Sequence, residues 1–278
     1  MKIPYKLIFQ EMRGSKKFTL LFILNLGLGL AGFISLNSFR ESINFSLKSQ
    51  SKNILGADFG VSARRPITSI ERELIKSTAE SKVVESEMVE LFTMIRGANK
   101  QSRLVQLKAI SSPYPFYGAL GLDDDKKING SEIDELYQKN VVWVYPELLL
   151  QLGLKKGESI QVGEAQFTIS QVVSSDSAAG FSTSMAPRMY ISLEHLGRTK
   201  LLRAGSLAWY SYVYQIPGKS AAELGEMQKE VFDSVPSNDL QVYSYEEVNE
   251  QTGRLMNYLS DFLGLSSLAA LFLAAVGA

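Results

Sequence analysis

Residues 18 to 36, FTLLFILNLGLGLAGFISL, form an apolar run interrupted only by Thr19, Asn25 and Ser35, and no charge occurs between Lys17 and Arg40. Coiled as a helix at about 1.5 Å per residue, that run spans about 28 Å, close to the hydrocarbon thickness of a bilayer. The pattern predicts a transmembrane helix over 18–37, preceded by a basic segment, 1–17. The run is longer than a signal-peptide core, and its exit, Ser35 to Arg40, offers no small-x-small cleavage site, so a permanent anchor is expected. A second apolar stretch starts at Phe262 and runs 17 residues to Ala278 without a charge. We read 251–278 as a stalk and the start of a second span, and residue 278 as the edge of a longer protein with further membrane segments.

Between the two apolar runs the periodicity changes to that of a water-soluble domain. Alternation over Ala57 to Ser62 predicts a strand. Thr68-Ser69-Ile70-Glu71 then carries the spacing of a capping box at a helix start. Val83 to Arg96 and Arg103 to Ile110 are β-rich and joined by Gly97-Ala98-Asn99-Lys100, a hairpin signal. The same order recurs later, with a strand over Ala208 to Tyr214, a helix from Ser220 to Val235 and a strand over Leu240 to Tyr243. Two β-α-β units some 150 residues apart are expected to pair into one layer, with the intervening chain inserted between them. The insert holds Val141 to Val144 as strand, a short helix around Pro146 to Leu152, and strands over Ser159 to Val162 and Phe167 to Val173, punctuated by Gly153, Gly157 and Gly163. The expected fold is therefore α+β, with 38–111 and 206–250 forming an α+β subdomain and 112–205 a β-rich inserted subdomain. From Tyr245 the helical pattern runs through Glu250, Arg254 and Tyr258 into the second apolar stretch with no breaker, which predicts a continuous stalk.

Charge sets the orientation. Lys2, Lys6, Arg13, Lys16 and Lys17 precede the first span with only Glu11 opposing, so the N-terminus is expected in the cytoplasm and the domain after Arg40 outside it. A net charge of zero over 278 residues gives no basic field for nucleic acid, and the absence of cysteine excludes disulfides and thiolate chemistry.

Motifs with catalytic or cofactor associations fail on context. Gly27-x-Gly29-x-x-Gly32 has dinucleotide-loop spacing but lies within the apolar helix rather than a βαβ unit; there Gly27, Ala31 and Gly32 form a candidate helix-packing face. Pro217-Gly218-Lys219-Ser220 resembles the end of a P-loop, yet Val213 stands where its first glycine should be. His195 is the single histidine, without a second His or Cys to share a metal, and a surface or helix-cap role is expected. Asp123 to Ile128 lacks calcium-loop spacing and reads as a solvated turn. Ser182 and Ser184 do not form a nucleophile elbow. No catalytic, cofactor or metal site is expected. Trp209, Tyr210, Tyr212 and Tyr214 alternate along a strand, one face for the core and the other, with Trp209, for a partner or lipid headgroups.

The order of parts resembles the FtsX/MacB-type permease subunits of ABC transporters, which include the LolC/LolE lipoprotein releasers. Leu55-Gly56-Ala57-Asp58 and Leu152 to Ile160 carry the likeness locally. Gly180-Phe181, Met185-Ala186-Pro187-Arg188-Met189-Tyr190-Ile191-Ser192-Leu193 and Leu201 to Ser206 are similar to the YbbP branch. The resemblance implies a MacB periplasmic core type of fold, and a multi-pass protein of the bacterial inner membrane with its large domain periplasmic. It implies no ATP site in this chain, a separate cytoplasmic ABC ATPase as partner, contact with membrane lipid, and mechanical coupling to export or extraction of hydrophobic molecules. A periplasmic hydrolase is a further implied partner. Gly180, Phe181, Pro187, Arg188 and Trp209 are the candidate partner surface or loop. A two-helix receptor with an extracytoplasmic sensing domain shares the topology, and the sequence beyond residue 278 would separate the two: a polar linker with heptads for the receptor, further apolar spans for the permease.

The charge bias generates a direct expectation. A topology reporter fused after Gly130 should show extracytoplasmic activity; cytoplasmic activity there would overturn the orientation.

Overall fold

The computed structural model describes residues 50–247, apart from 80–81, 124–125, 129–132, 178–185, 204 and 236–238; beyond that span it describes only scattered helical positions from 17 to 46 and from 258 to 266. Residues 1–49 with 249–278 form one compact unit and 50–248 another. Among the described residues no helix is long and apolar enough to cross a membrane. The two expected spans lie mostly outside the described residues, as does most of the expected stalk, of which 245–247 are helical.

In chain order the larger unit contains β1 (Phe59–Ala63), α1 (Ser69–Ala79), β2 (Val84–Gly97), β3 (Ser102–Ile110), β4 (Leu120–Leu122), β5 (Lys127–Ile128), α2 (Asp134–Gln138) and β6 (Val141–Val144). There follow α3 (Pro146–Leu152), β7 (Ser159–Val162), β8 (Ala165–Asp176), β9 (Arg188–Ser192), α4 (Leu193–Thr199), β10 (Ala208–Gln215), α5 (Ala221–Ser234) and β11 (Gln241–Ser244). The fold is α+β, as the sequence pattern predicts.

The two β-α-β units interleave. β1 lies between β11 and β10, antiparallel to both, and β10 pairs with β2 from Ala208↔Leu91 to Gln215↔Val84. One face of these strands presents Phe59, Val61, Tyr212 and Tyr214 to Ile75 and Ala79 of α1 and to Leu224, Met227 and Val231 of α5, in a single buried cluster. The helix starts are those expected. The backbone N–H of Thr68 donates to Glu71 Oε2 at 2.8 Å while the Glu71 N–H donates to Thr68 Oγ1 at 3.3 Å, and Ser220 with Glu223 repeats the device on α5. Arg65 makes two hydrogen bonds to the Glu71 carboxylate and two to Asp239, so the β1–α1 connection is tied to the segment before β11.

The rest of the sheet closes on itself. β2 pairs with β3, β3 runs parallel to β9, β9 pairs with β6, β6 runs parallel to β8, β8 pairs with β7, and β7 returns to the far end of β2. This ring of six strands encloses Val105, Leu107, Val142, Val144, Phe167, Ile169, Met189 and Ile191, and α3 and α4 add Leu148, Leu152 and Leu196 to the same cluster. Closure leaves no free edge within the ring. The reason β2 is 14 residues long is now apparent: Val84 to Leu91 pairs with β10, whereas Ile95 to Gly97 pairs with β7. The strands on either side of the expected 111/112 boundary thus share a single sheet. Gly163, in the β7–β8 turn, has φ +57°, and a Cβ there would lie 2.1 Å from the Thr199 carbonyl oxygen, so this turn requires glycine.

A third cluster sits on the opposite face, where the excursion from Ser111 to Gln138 folds back over the sheet. Tyr114, Leu120, Ile128, Ile133 and Leu136 pack on Met88, Ile110, Trp143, Tyr190 and Val213. The excursion covers only part of that face; Phe92 and Met94 of β2 and Leu104 of β3 stay exposed.

The α1 start gives a stability prediction. Thr68→Ala should cost about 1 kcal/mol in urea denaturation. Glu71 is held down to about 2 by the Arg65 guanidinium and the Thr68 hydrogen bonds, against the opposing effect of its burial. A carboxyl depressed in the folded state stabilises fully above its unfolded value and loses that contribution as pH falls toward the folded one. Stability should therefore decline between about pH 4.5 and 2, and Glu71→Gln should be less stable at neutral pH with a flatter acid decline.

Candidate functional site

The chain enters and leaves the larger unit beside one buried carboxylate. Asp58 is 1% exposed, at the mouth of β1, two residues beyond Gly56, whose φ of +71° turns the chain from the preceding helix into the strand. The Asp58 side chain accepts from Lys52 Nζ at 2.7 Å, from the Tyr117 hydroxyl at 2.7 Å and from the Ile216 N–H at 2.9 Å. Its carbonyl oxygen accepts from the Tyr245 N–H at 3.2 Å. Lys52 Nζ also lies over the rings of Tyr117 and Tyr245, 5.3 and 4.8 Å from their centroids. Partial burial works against the Lys52 charge, but the Asp58 carboxylate outweighs it and holds the ammonium above its ordinary value. Five segments therefore meet at Asp58: the incoming helix at Lys52, β1, the excursion at Tyr117, the β10–α5 connection at Ile216, and the outgoing chain at Tyr245.

Of the expected partner-surface residues, Gly180 and Phe181 lie outside the described residues. The others share one side of the sheet. Arg188 on β9 donates through Nε to Gln106 Oε1 on β3 at 3.3 Å, and Gln106 Nε2 donates to Glu90 Oε2 on β2 at 3.1 Å. Glu90 stands opposite Trp209 on β10. A polar row thus crosses four strands from Arg188 to Trp209, and the Pro187 carbonyl oxygen anchors its start by accepting from the Gln106 N–H. The alternation expected around Trp209 is observed: Tyr212 and Tyr214 enter the helix-covered core, while Trp209 is on the opposite face. Beneath the row, buried Lys108 donates to the Tyr114 hydroxyl at 3.1 Å and lies 3.6 Å from Glu90. Burial opposes its charge, and Tyr114, Glu90 and Asp176 together more than reverse that, keeping the ammonium well above the usual lysine range.

Gly27, Ala31 and Gly32 are helical and exposed, and a Cβ built on either glycine meets nothing within 4 Å. Pro217 to Ser220 forms a turn with Gly218 at φ +88° that delivers Ser220 as the α5 cap. His195 lies on α4, half-buried with its ring centroid 6.2 Å from that of Phe167, and burial lowers its pKa; it packs against an aromatic ring rather than capping a helix. Asp123 opens the turn of the β4–β5 hairpin. Among the described residues no cluster of His, Cys, Asp and Glu could hold a metal. Sequence reasoning missed Lys52, Glu90, Lys108 and Tyr117. Lys108, a charge set between Leu107 and Ala109-Ile110, was the one local signal.

No family model matches the chain. It is 25% identical over 252 residues to YbbP of Escherichia coli (strain K12), described as an uncharacterised ABC transporter permease, with 90% of this chain and 29% of that protein aligned. The chain thus spans under a third of the relative's length. The resemblance to the YbbP branch expected from the sequence is found over nearly the whole chain. Among solved structures, the periplasmic region of MacB from Actinobacillus actinomycetemcomitans superposes with a TM-score of 0.45 at 11% identity, covering 72% of this chain and 95% of that one. The extracellular domain of the noncanonic ABC-type transporter YknZ from Gram-positive bacteria gives 0.44 at 12% identity, covering 67% and 100%.

The junction makes a prediction. Lys52→Ala leaves the buried Asp58 carboxylate without its counter-charge and should lower unfolding stability by about 3 kcal/mol, whereas Asp58→Ala removes the buried charge itself, releases the half-exposed Lys52 to water and should cost about 2 kcal/mol for the hydrogen bonds lost by Tyr117 and the Ile216 N–H. Urea denaturation of both variants would measure the difference.

Proposed function

We propose that this chain is the N-terminal portion of an FtsX/MacB-type permease subunit of a bacterial ABC transporter, anchored in the inner membrane with its α+β unit in the periplasm. The observation that carries the reading is the match to an ABC transporter permease over 252 residues. The five-to-one basic bias before the first apolar run supports the orientation, and the two apolar runs support membrane anchoring at both ends of the unit.

In this reading ATP is bound and hydrolysed by a separate cytoplasmic ABC ATPase. Movement of the membrane helices reaches the outer unit through the segments that converge on Asp58. The work is export or extraction of hydrophobic, lipid-like molecules, with a periplasmic hydrolase as a further partner, and Gly27, Ala31 and Gly32 pack the first span against another helix. Gly180, Phe181, Pro187, Arg188 and Trp209 supply a surface for periplasmic contacts. The chain itself carries out no chemistry.

Copurification and ATPase assays test this. The full-length protein alone should hydrolyse no ATP and should gain hydrolysis when coexpressed with a cytoplasmic ABC ATPase that copurifies with it. Hydrolysis by the purified permease without any nucleotide-binding subunit would overturn the reading.

A further inference from the structure

The part of the sheet face that the 111–138 excursion leaves open is hollowed into a cleft of about 520 Å³ over β1, β10, β2 and β3, a size that suits a small ligand. Its two sides differ in chemistry. Toward β11 and β1 the lining is Ser62, Gln241 and Tyr243, with Arg64 at the end of β1. Tyr243 can lie there only because residue 60 is glycine: a Cβ on Gly60 would come within 2.4 Å of the tyrosine ring. Toward β2 and β3 the lining holds Glu90 and Gln106 and, beyond them, Phe92, with Leu207 just ahead of β10. The apolar surface continues along the same face to Met94 and to Leu104 opposite it. Leu207 is 82% and Met94 55% exposed, so this strip has no cover among the described residues.

Arg64 and Glu90 are the charged residues that line the cleft, and of the two Glu90 has a counter-charge beside it. Glu90 is met from within the sheet by Gln106 at 3.1 Å and Lys108 at 3.6 Å. Arg64 lies with its guanidinium 4.6 Å from the Trp209 ring centroid and forms no ion pair among the described residues. Stacking on an aromatic face leaves the in-plane N–H donors of a guanidinium available, and their fork matches a carboxylate. A single uncompensated cation at one side, with an open apolar strip at the other, is complementary to a monoanion with an apolar tail. From the Trp209–Glu90 row to Met94 the face is about 13 Å long at strand rise, the length of a medium acyl chain, and Phe92 and Met94 are its apolar part.

We propose that this cleft binds a single-chain amphiphile with a carboxylate head, the head on Arg64 beside Trp209 and the tail along Phe92, Met94 and Leu104. The proposal deepens the hydrophobic-cargo reading and rests on it for the purpose of the site, while binding itself needs only this chain.

The test uses the full chain in phosphatidylcholine nanodiscs and its tryptophan fluorescence. The chain has two tryptophans, and Trp143 is 1% exposed, so a ligand-induced spectral shift reports Trp209. Sub-micellar decanoate should give a saturable shift, decyltrimethylammonium should not, and Arg64→Ala should weaken decanoate binding at least tenfold while Arg64→Lys keeps most of it. Phe92→Ala should weaken decanoate by several-fold. Equal response to the cationic probe, an unchanged Arg64→Ala, or a signal that rises linearly as in simple partition into lipid would each overturn the proposal. Arg64 is exposed, and an unchanged thermal midpoint for Arg64→Ala keeps a loss of binding attributable to charge. Decanoate binding by a chain that recruits no ABC ATPase would leave the cleft standing and sink the permease reading; ATPase recruitment with no decanoate binding would do the reverse.

Discussion

A carboxylate removed from water must be fully satisfied or it unfolds its surroundings, and Asp58 is satisfied only when five separate stretches of chain are in place. Lys52 supplies charge, Tyr117 and the Ile216 N–H supply hydrogen bonds, and the Asp58 carbonyl oxygen takes the Tyr245 N–H. Leaving such a group unpaired costs several kcal/mol, so the incoming helix, the first strand and the departing chain form as a set. The rest of the unit depends on that closure, because β1 is the strand on which β10 and β11 both pair.

The second organising constraint is the length of β2. One half of the strand is a member of the helix-covered layer and the other half a stave of the closed ring. Two cores, one built around Phe59 and Tyr214 and the other around Leu107 and Phe167, are thereby carried by one continuous backbone. The pairing is not uniform along it: the β10 pairing ends at Leu91 and the β7 pairing begins at Ile95, so residues 92–94 are held by β3 alone.

The opposite face of the sheet has a different logic. Its covered part is apolar around Trp143 and Tyr190, but the row from Arg188 through Gln106 and Glu90 to the neighbourhood of Trp209 is polar and hydrogen-bonded. Lys108 lies beneath it, buried and charged. Buried charge of this kind fixes side-chain positions more than it adds stability. Here it neutralises Glu90, which leaves Arg64 to set the character of the cleft.

Local pattern alone determined the elements. The alternation in Ala208 to Tyr214, the Thr68/Glu71 and Ser220/Glu223 spacings and the glycines at 153, 157 and 163 encode strand, helix start and turn within a few residues, where side-chain direction and backbone propensity are local properties. The short pieces β4, β5 and α2 were not legible, because their residues are ordered by packing on Ile110 and Trp143 rather than by their own periodicity, and neither was β9 with α4, since Met189, Tyr190 and Ile191 are buried on both faces of the sheet and show no alternation. The pairing of β7 with β2 and the convergence on Asp58 were likewise decided by tertiary structure. Ring closure joins residues some 65 positions apart, and the Asp58 to Ile216 hydrogen bond spans 158. No period or motif in a single sequence records which distant donor will meet a buried acceptor. The candidate site shows the same division: Trp209 could be assigned to the far face from alternation, but that Arg64 stacks on it, with Glu90 already neutralised beside it, follows only from the register of β1, β10 and β2.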